Sequence, residues 1–137
     1  MTDINIIENK ISAIEKYLSI LNGYKSISRE KIENDPNLLG ALERYLFLAI
    51  QAAIDTAEAI ISYKEYRKPS SYAESFKILV EQGLIDAELE GQLAKTTGFR
   101  NILTHGYQEV NYDILFDVLQ NRLVDLETFV KAVKKMV

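Results

Sequence analysis

The stretch from Asp35 to Tyr63 reads DPNLLGALERYLFLAIQAAIDTAEAIISY, and it decides the fold. Asp35 suits a helix cap and Pro36 the first helical position, where the missing amide costs nothing. No further proline or paired turn residue interrupts the run until the basic linker beyond Tyr63. The segment is apolar nearly all round, which is the mark of a central helix enclosed by others. Ala49, Ala52, Ala53, Ala57 and Ala59 let neighbours approach its backbone. One polar stripe crosses it at helical spacing: Arg44, Gln51, Asp55, Glu58 and Ser62. The apolar run from Tyr45 to Ile61 is long, but Gln51, Asp55, Thr56 and Glu58 break it, so it makes a poor membrane span.

Helical periodicity continues on both sides. Ile4, Ile7, Ile11, Ile14, Leu18 and Leu21 alternate spacings of three and four, which predicts a helix from about Asp3 to Leu21 with one apolar seam. Asn22-Gly23 ends it, and Ser28 to Lys31 suggests a short helical turn. After the linker Lys64-Glu65-Tyr66-Arg67-Lys68-Pro69, Ser71 and Glu74 have the spacing of a capping box. A short helix from about Tyr72 to Gln82 follows, ended by Gly83. Asp86 caps the next, which runs to about His105 with Gly91 and Gly98 inside it, read here as sites of tight packing. The last runs from about Asp113 to Met136. The expectation is an all-α, up-and-down helical bundle of about five helices, one domain over residues 1–137, with a homodimer suggested by the long apolar faces.

Composition narrows the function. The 137 residues are 47% hydrophobic and 26% charged, as in an ordinary globular domain. There is no cysteine and one histidine. This excludes disulfides, thiol catalysis and a cysteine-built zinc site, and it disfavours a histidine-built metal site within one chain. The start, Met1-Thr2-Asp3-Ile4-Asn5, is polar and acidic where a secretory signal would be basic and then apolar. The expected location is the cytoplasm, with no membrane partner. A net charge of −4 means that any RNA must be handled at a local basic site.

One segment concentrates chemistry: Phe99-Arg100-Asn101-Ile102-Leu103-Thr104-His105-Gly106-Tyr107. Asn101 and His105 share a helical face, so the amide can orient the imidazole. Arg100 is turned about 140° from His105 and lies roughly 7.5 Å away along the axis, so the two can grip one phosphate from two sides. Gly106 reads as a helix stop, which puts His105 in the last turn and Tyr107 just past it. The helix carbonyls favour a protonated histidine and Arg100 opposes it. An arginine that holds phosphate and a histidine that moves protons suit phosphodiester cleavage without a metal, because RNA supplies its own 2′-hydroxyl nucleophile. A symmetric dimer would bring two such histidines to one cleft. By residue type alone the structural alternative is the commoner one: a histidine capping a helix end and an arginine in a surface ion pair.

The segment resembles the signature of the HEPN superfamily, and in particular of its HepT-like members: arginine, four residues, histidine, one residue, tyrosine, here Arg100, His105 and Tyr107. Chain length, helix order and the pattern Ala52-Ala53-Ile54-Asp55 are similar as well, while Gln51 departs from the acidic residue common there. The resemblance implies the toxin of a type VII-like toxin–antitoxin pair, a metal-independent endoribonuclease with no cofactor. Arg100 and His105 would be catalytic in a composite dimer cleft. It further implies an antitoxin partner, a minimal nucleotidyltransferase that transfers AMP from ATP to Tyr107; the opposite assignment of harmful partner has also been entertained for such pairs. Asn101 and Asp55 would orient the site, Asp55 through an ion pair to Arg100, while Asp55 reads equally as a polar stripe residue at a subunit interface. Two alternatives stand beside it: a non-catalytic binding module that positions substrate for a nucleotidyltransferase, and a structural helical dimer without a ligand. Lys64, Arg67 and Lys68 read as cations complementing a helix C-terminus, as do Lys131, Lys134 and Lys135. Tyr63, Tyr66 and Tyr72 read as packing for the linker.

Overall fold

The computed structural model describes residues 3–104 and 110–137, and among them every regular element is helical. In order these are α1 (Ile4–Tyr24), α2 (Arg29–Glu33), α3 (Pro36–Tyr63), α4 (Tyr72–Glu81), α5 (Ala87–Thr104), α6 (Tyr112–Asp117), a π-turn over Val118–Arg122, and α7 (Leu123–Lys134).

Side-chain caps fix most of the starts. Asp35 accepts from the amides of Asn37 and Leu38, with Pro36 at the head of α3 as its fixed φ requires. Asp3, Ser28 and Asn111 cap α1, α2 and α6. Ser71 accepts from the Glu74 amide at 3.1 Å, and Glu74 reaches back to the amide of Ser70, one residue before the partner a strict capping box would use. Asp86 accepts from the Leu89 amide at 2.8 Å. Gly83, at φ 75°, supplies the left-handed turn between α4 and α5.

The seam of α1 is buried as its spacing demands: Ile7, Ile11, Ile14, Leu18 and Leu21 pack along α3. Ala49, Ala53, Ala57 and Ala59 are buried too, so small side chains line the deepest helix. One continuous hydrophobic cluster includes residues from α1 through α7, with Phe76 edge-on to Phe129 at 5.7 Å. α3 is the one described helix long and apolar enough to cross a membrane, but 61% of its most apolar window is buried inside the bundle. Its apolar surface is used in packing.

Two expectations change. The last helix is not uniform: the π-turn at Val118–Arg122 separates α6 from α7. The glycines of α5 do not serve close packing, since a Cβ at Gly91 or Gly98 would meet no atom within 4 Å. The surface cations also find specific partners. Arg67 bridges to Glu81 at 2.7 Å and Glu74 at 3.3 Å, tying the linker to α4, and Lys134 pairs with Glu15 at 2.6 Å. Tyr66 and Tyr72 pack on the core, whereas Tyr63 is exposed beneath Lys64.

Candidate functional site

The site lies where the C-terminal end of α5 crosses the polar stripe of α3. Arg100 sits near the end of α5, half-buried, and its guanidinium is held from three directions. Its Nε–H donates to the Gln51 side-chain oxygen. Its Nη1 donates to the Asn101 oxygen at 3.1 Å. Its Cζ lies 5.8 Å from the centre of the Phe47 ring, within cation–π range. The Thr104 hydroxyl donates to the Arg100 carbonyl at 2.8 Å, which satisfies one backbone acceptor of the last turn.

Gln51 is in turn fixed by Asp55, whose carboxylate accepts from its Nε2 at 2.8 Å. Residues four apart on a helix are neighbours on one face, so Phe47, Gln51 and Asp55 form a single row beneath the arginine. The expected Asp55–Arg100 ion pair is therefore corrected: the carboxylate acts one residue removed, through the amide. The reason is reach, because Gln51 stands between them on the same row. Asn101 binds Arg100 and donates to the Tyr72 hydroxyl at 3.4 Å. Tyr72 thus does more than pack the linker.

Among the described residues Arg100 makes no ion pair; its side-chain hydrogen bonds go to two neutral amide oxygens. Amide acceptors fix the direction of a guanidinium without cancelling its charge, which leaves the cation available to an anion. Gln51 is the residue that sequence reasoning set aside. Its signal was its place in the α3 polar stripe, four residues from Asp55.

His105 and Tyr107 lie outside the described residues, as does any bond between Asn101 and His105. What the structure places is the base of their segment: Leu103 and Thr104 line a groove of about 300 Å³ together with Gly40, Glu43, Arg44 and Phe47. Partial burial raises the Glu43 carboxyl above its ordinary value. A second hollow, about 340 Å³, lies between α1 and α3 and reaches Gln51 and Asp55 from the other side, with Ile6, Lys10 and Tyr17 among its walls. No group of three or more potential metal ligands occurs among the described residues.

The geometry defines a helical bundle that presents, near the end of one helix, an oriented arginine with no ion pair among the described residues. Residues 7–133 match the family described as "Ribonuclease HepT-like". The chain is 35% identical to an mRNA nuclease HepT of Shewanella oneidensis over 95% of its own length and 97% of the relative's. It is 30% identical to a tRNA nuclease HepT of Aphanizomenon flos-aquae, over 97% of this chain and 92% of that one. Its fold is similar to that of a tri-AMPylated HEPN toxin of Shewanella oneidensis solved in complex with an MNT antitoxin, with a TM-score of 0.86, 32% identity, and 98% and 99% of the two chains covered. The chain belongs to the ribonuclease HepT-like family, within the all-helical HEPN class.

Proposed function

We propose that this protein is the toxin of a toxin–antitoxin pair, a metal-independent endoribonuclease acting in the cytoplasm as a homodimer. Arg100 holds the scissile phosphate and offsets the charge that develops on it in the transition state. His105 transfers the proton. Gln51, held by Asp55, and Asn101 orient the arginine. The observation that carries the reading is the state of Arg100: fixed by two amides and a ring, and uncompensated among the described residues. It stands at the head of the Arg100–His105–Tyr107 motif in a chain whose relatives are named as nucleases.

The partner is a minimal nucleotidyltransferase that transfers AMP from ATP to Tyr107. The transfer to tyrosine joins its phenolic oxygen to the α-phosphorus of ATP, breaks the bond from that phosphorus to the β-phosphate oxygen and releases pyrophosphate, and the phenolic proton goes to solvent. An anionic nucleotide two residues from His105 would fill the cleft and compete for Arg100. A solved relative supports this, since it is tri-AMPylated and bound to its antitoxin.

The test is RNA cleavage in EDTA by the purified protein beside His105→Ala, repeated after incubation with the nucleotidyltransferase and ATP, with mass spectrometry of the Tyr107 peptide. Cleavage that survives EDTA, and is lost both in the folded variant and on AMP transfer, is expected. A folded His105→Ala protein that still cuts RNA sinks the assignment.

A further inference from the structure

The polar stripe of α3 runs through Arg44, Gln51, Asp55, Glu58 and Ser62, and the Arg100 site uses only its middle. Gln51 and Asp55 serve Arg100, while Arg44, two helical turns before Gln51, is left over. Its side chain is not idle. The Arg44 Cζ lies 5.4 Å from the centre of the Phe47 ring, the same ring that holds Arg100 at 5.8 Å. One aromatic side chain thus gathers two guanidiniums in a chain whose net charge is −4. Arg44 is exposed, and among the described residues it forms no ion pair. Other exposed arginines of this protein behave differently: Arg29 and Arg67 each bridge to two carboxylates.

Arg44 also lines the groove that Phe47, Leu103 and Thr104 share, which leads to the end of α5. Gly40 forms part of its wall, and a Cβ there would meet nothing within 4 Å, so that side stays open. Glu43 lines the groove as well and would repel an anion. Arg44 must outweigh that repulsion, and its guanidinium is on the same groove wall.

We propose that Arg44, steadied by Phe47, is a second phosphate subsite of the RNA groove, engaging a backbone phosphate next to the one held by Arg100. The proposal rests on the ribonuclease reading. It adds a positioning contact and no proton-transfer role. A single-stranded RNA has a charge at every nucleotide, so a cleft that grips two neighbouring phosphates fixes the register of the scissile bond, where one contact would let the strand slide. The ring matters because it limits the rotamers that a free arginine would sample, lowering the entropy lost on binding.

The experiment measures binding of a fluorescein-labelled single-stranded RNA oligonucleotide to the uncleaving His105→Ala protein, over a range of monovalent salt. Each phosphate contact contributes about 0.7 to the slope of log affinity against log salt on a single strand. Adding Arg44→Ala should lower the slope by about that amount and weaken binding about fivefold at 0.1 M salt. Arg44→Lys should keep the slope and lose part of the affinity. Phe47→Leu should behave like Arg44→Lys, since both charges remain and only their support goes. Lys131→Ala, on the exposed side of α7, serves as a distant charge control and should leave both readouts unchanged. An unchanged slope and affinity in Arg44→Ala overturns the subsite while leaving the ribonuclease reading in place. A folded His105→Ala protein that binds no RNA overturns both.

Discussion

α3 and α5 meet at the site, yet they are built from opposite materials. α3 is long and alanine-rich, its buried residues extend from Leu42 to Ile61, and one polar row crosses it. α5 carries two glycines with open space beside them, and it exposes Ala94, Lys95 and Gly98 to solvent. The difference divides the labour. α3 is the fixed floor that receives Arg100, and α5 is the arm that delivers it. Burial of α3 makes the positions of Phe47, Gln51 and Asp55 part of the core's own geometry, so orienting the arginine needs no separate device.

The largest effect should come from removing what the arm delivers. Arg100→Ala is expected to lower kcat by about 10²- to 10³-fold, the usual cost of one transition-state charge contact. Arg100→Lys should recover little, since an ammonium has no Nε–H for Gln51 and no flat face for Phe47. Kinetics on a defined RNA, with circular dichroism to confirm folding, decide it. A fully active lysine variant would mean that charge alone suffices and that the floor is decoration.

How far the sequence could foresee this division depends on where the information is local. The helices were legible because their apolar residues recur at spacings of three and four, and the caps were legible because Asp35, Ser71 and Asp86 act within three residues of themselves. The π-turn at Val118–Arg122 was not: the buried Val118, Leu119 and Leu123 are spaced one and four apart, as they also would be on the apolar face of an unbroken α-helix. In the site, Arg100 and Asn101 stood out as candidates because the segment around them is compact, and their mutual hydrogen bond is local. Gln51 was discounted, because its bond to Arg100 spans 49 residues and exists only once α5 lies on α3. The same tertiary fact turned the expected Asp55 ion pair into a contact relayed through an amide.

A second way to break the comparison is to detach the arm from the rest of the bundle without touching the floor. Thr96 on α5 donates to Asp125 on α7 at 3.1 Å, and Asp125 is only 4% exposed. Asp125→Ala leaves a buried hydroxyl without its partner, which should cost about 1–3 kcal/mol in urea unfolding. Cleavage well below the melting temperature should survive. If Asp125→Ala keeps full stability but loses activity, the role of α7 is to aim α5 and not to hold the fold.

A smaller effect tests the floor itself. Gln51→Leu keeps the volume and removes the acceptor for Arg100, with an expected loss of about 1.5 kcal/mol in transition-state stabilisation, roughly tenfold in kcat/KM. Gln51→Glu should keep the arginine in place and lose less, with the cost falling on KM because the new ion pair competes with phosphate. Equal losses in both variants would show that the amide's neutrality matters as much as its position.

The smallest effect separates an arm built loosely by accident from one built loosely for use. Gly91 lies far from the motif along α5, Gly98 lies two residues before Arg100, and neither is required by contact, since an added Cβ would meet nothing within 4 Å at either position. Alanine in an exposed helix interior is favoured over glycine by about 0.5–1 kcal/mol, so each substitution should raise stability by that amount when unfolding is followed by denaturant. The informative quantity is the difference in activity between the two. Gly91→Ala should leave cleavage unchanged. Gly98→Ala adds a methyl group on the exposed side of the helix, one residue before the buried Phe99. If it stabilises the protein and also leaves cleavage unchanged, glycine on α5 contributes nothing that the site needs. If it stabilises yet lowers cleavage, either the RNA or a second chain approaches α5 at that point, and the open space beside Gly98 belongs to the composite cleft.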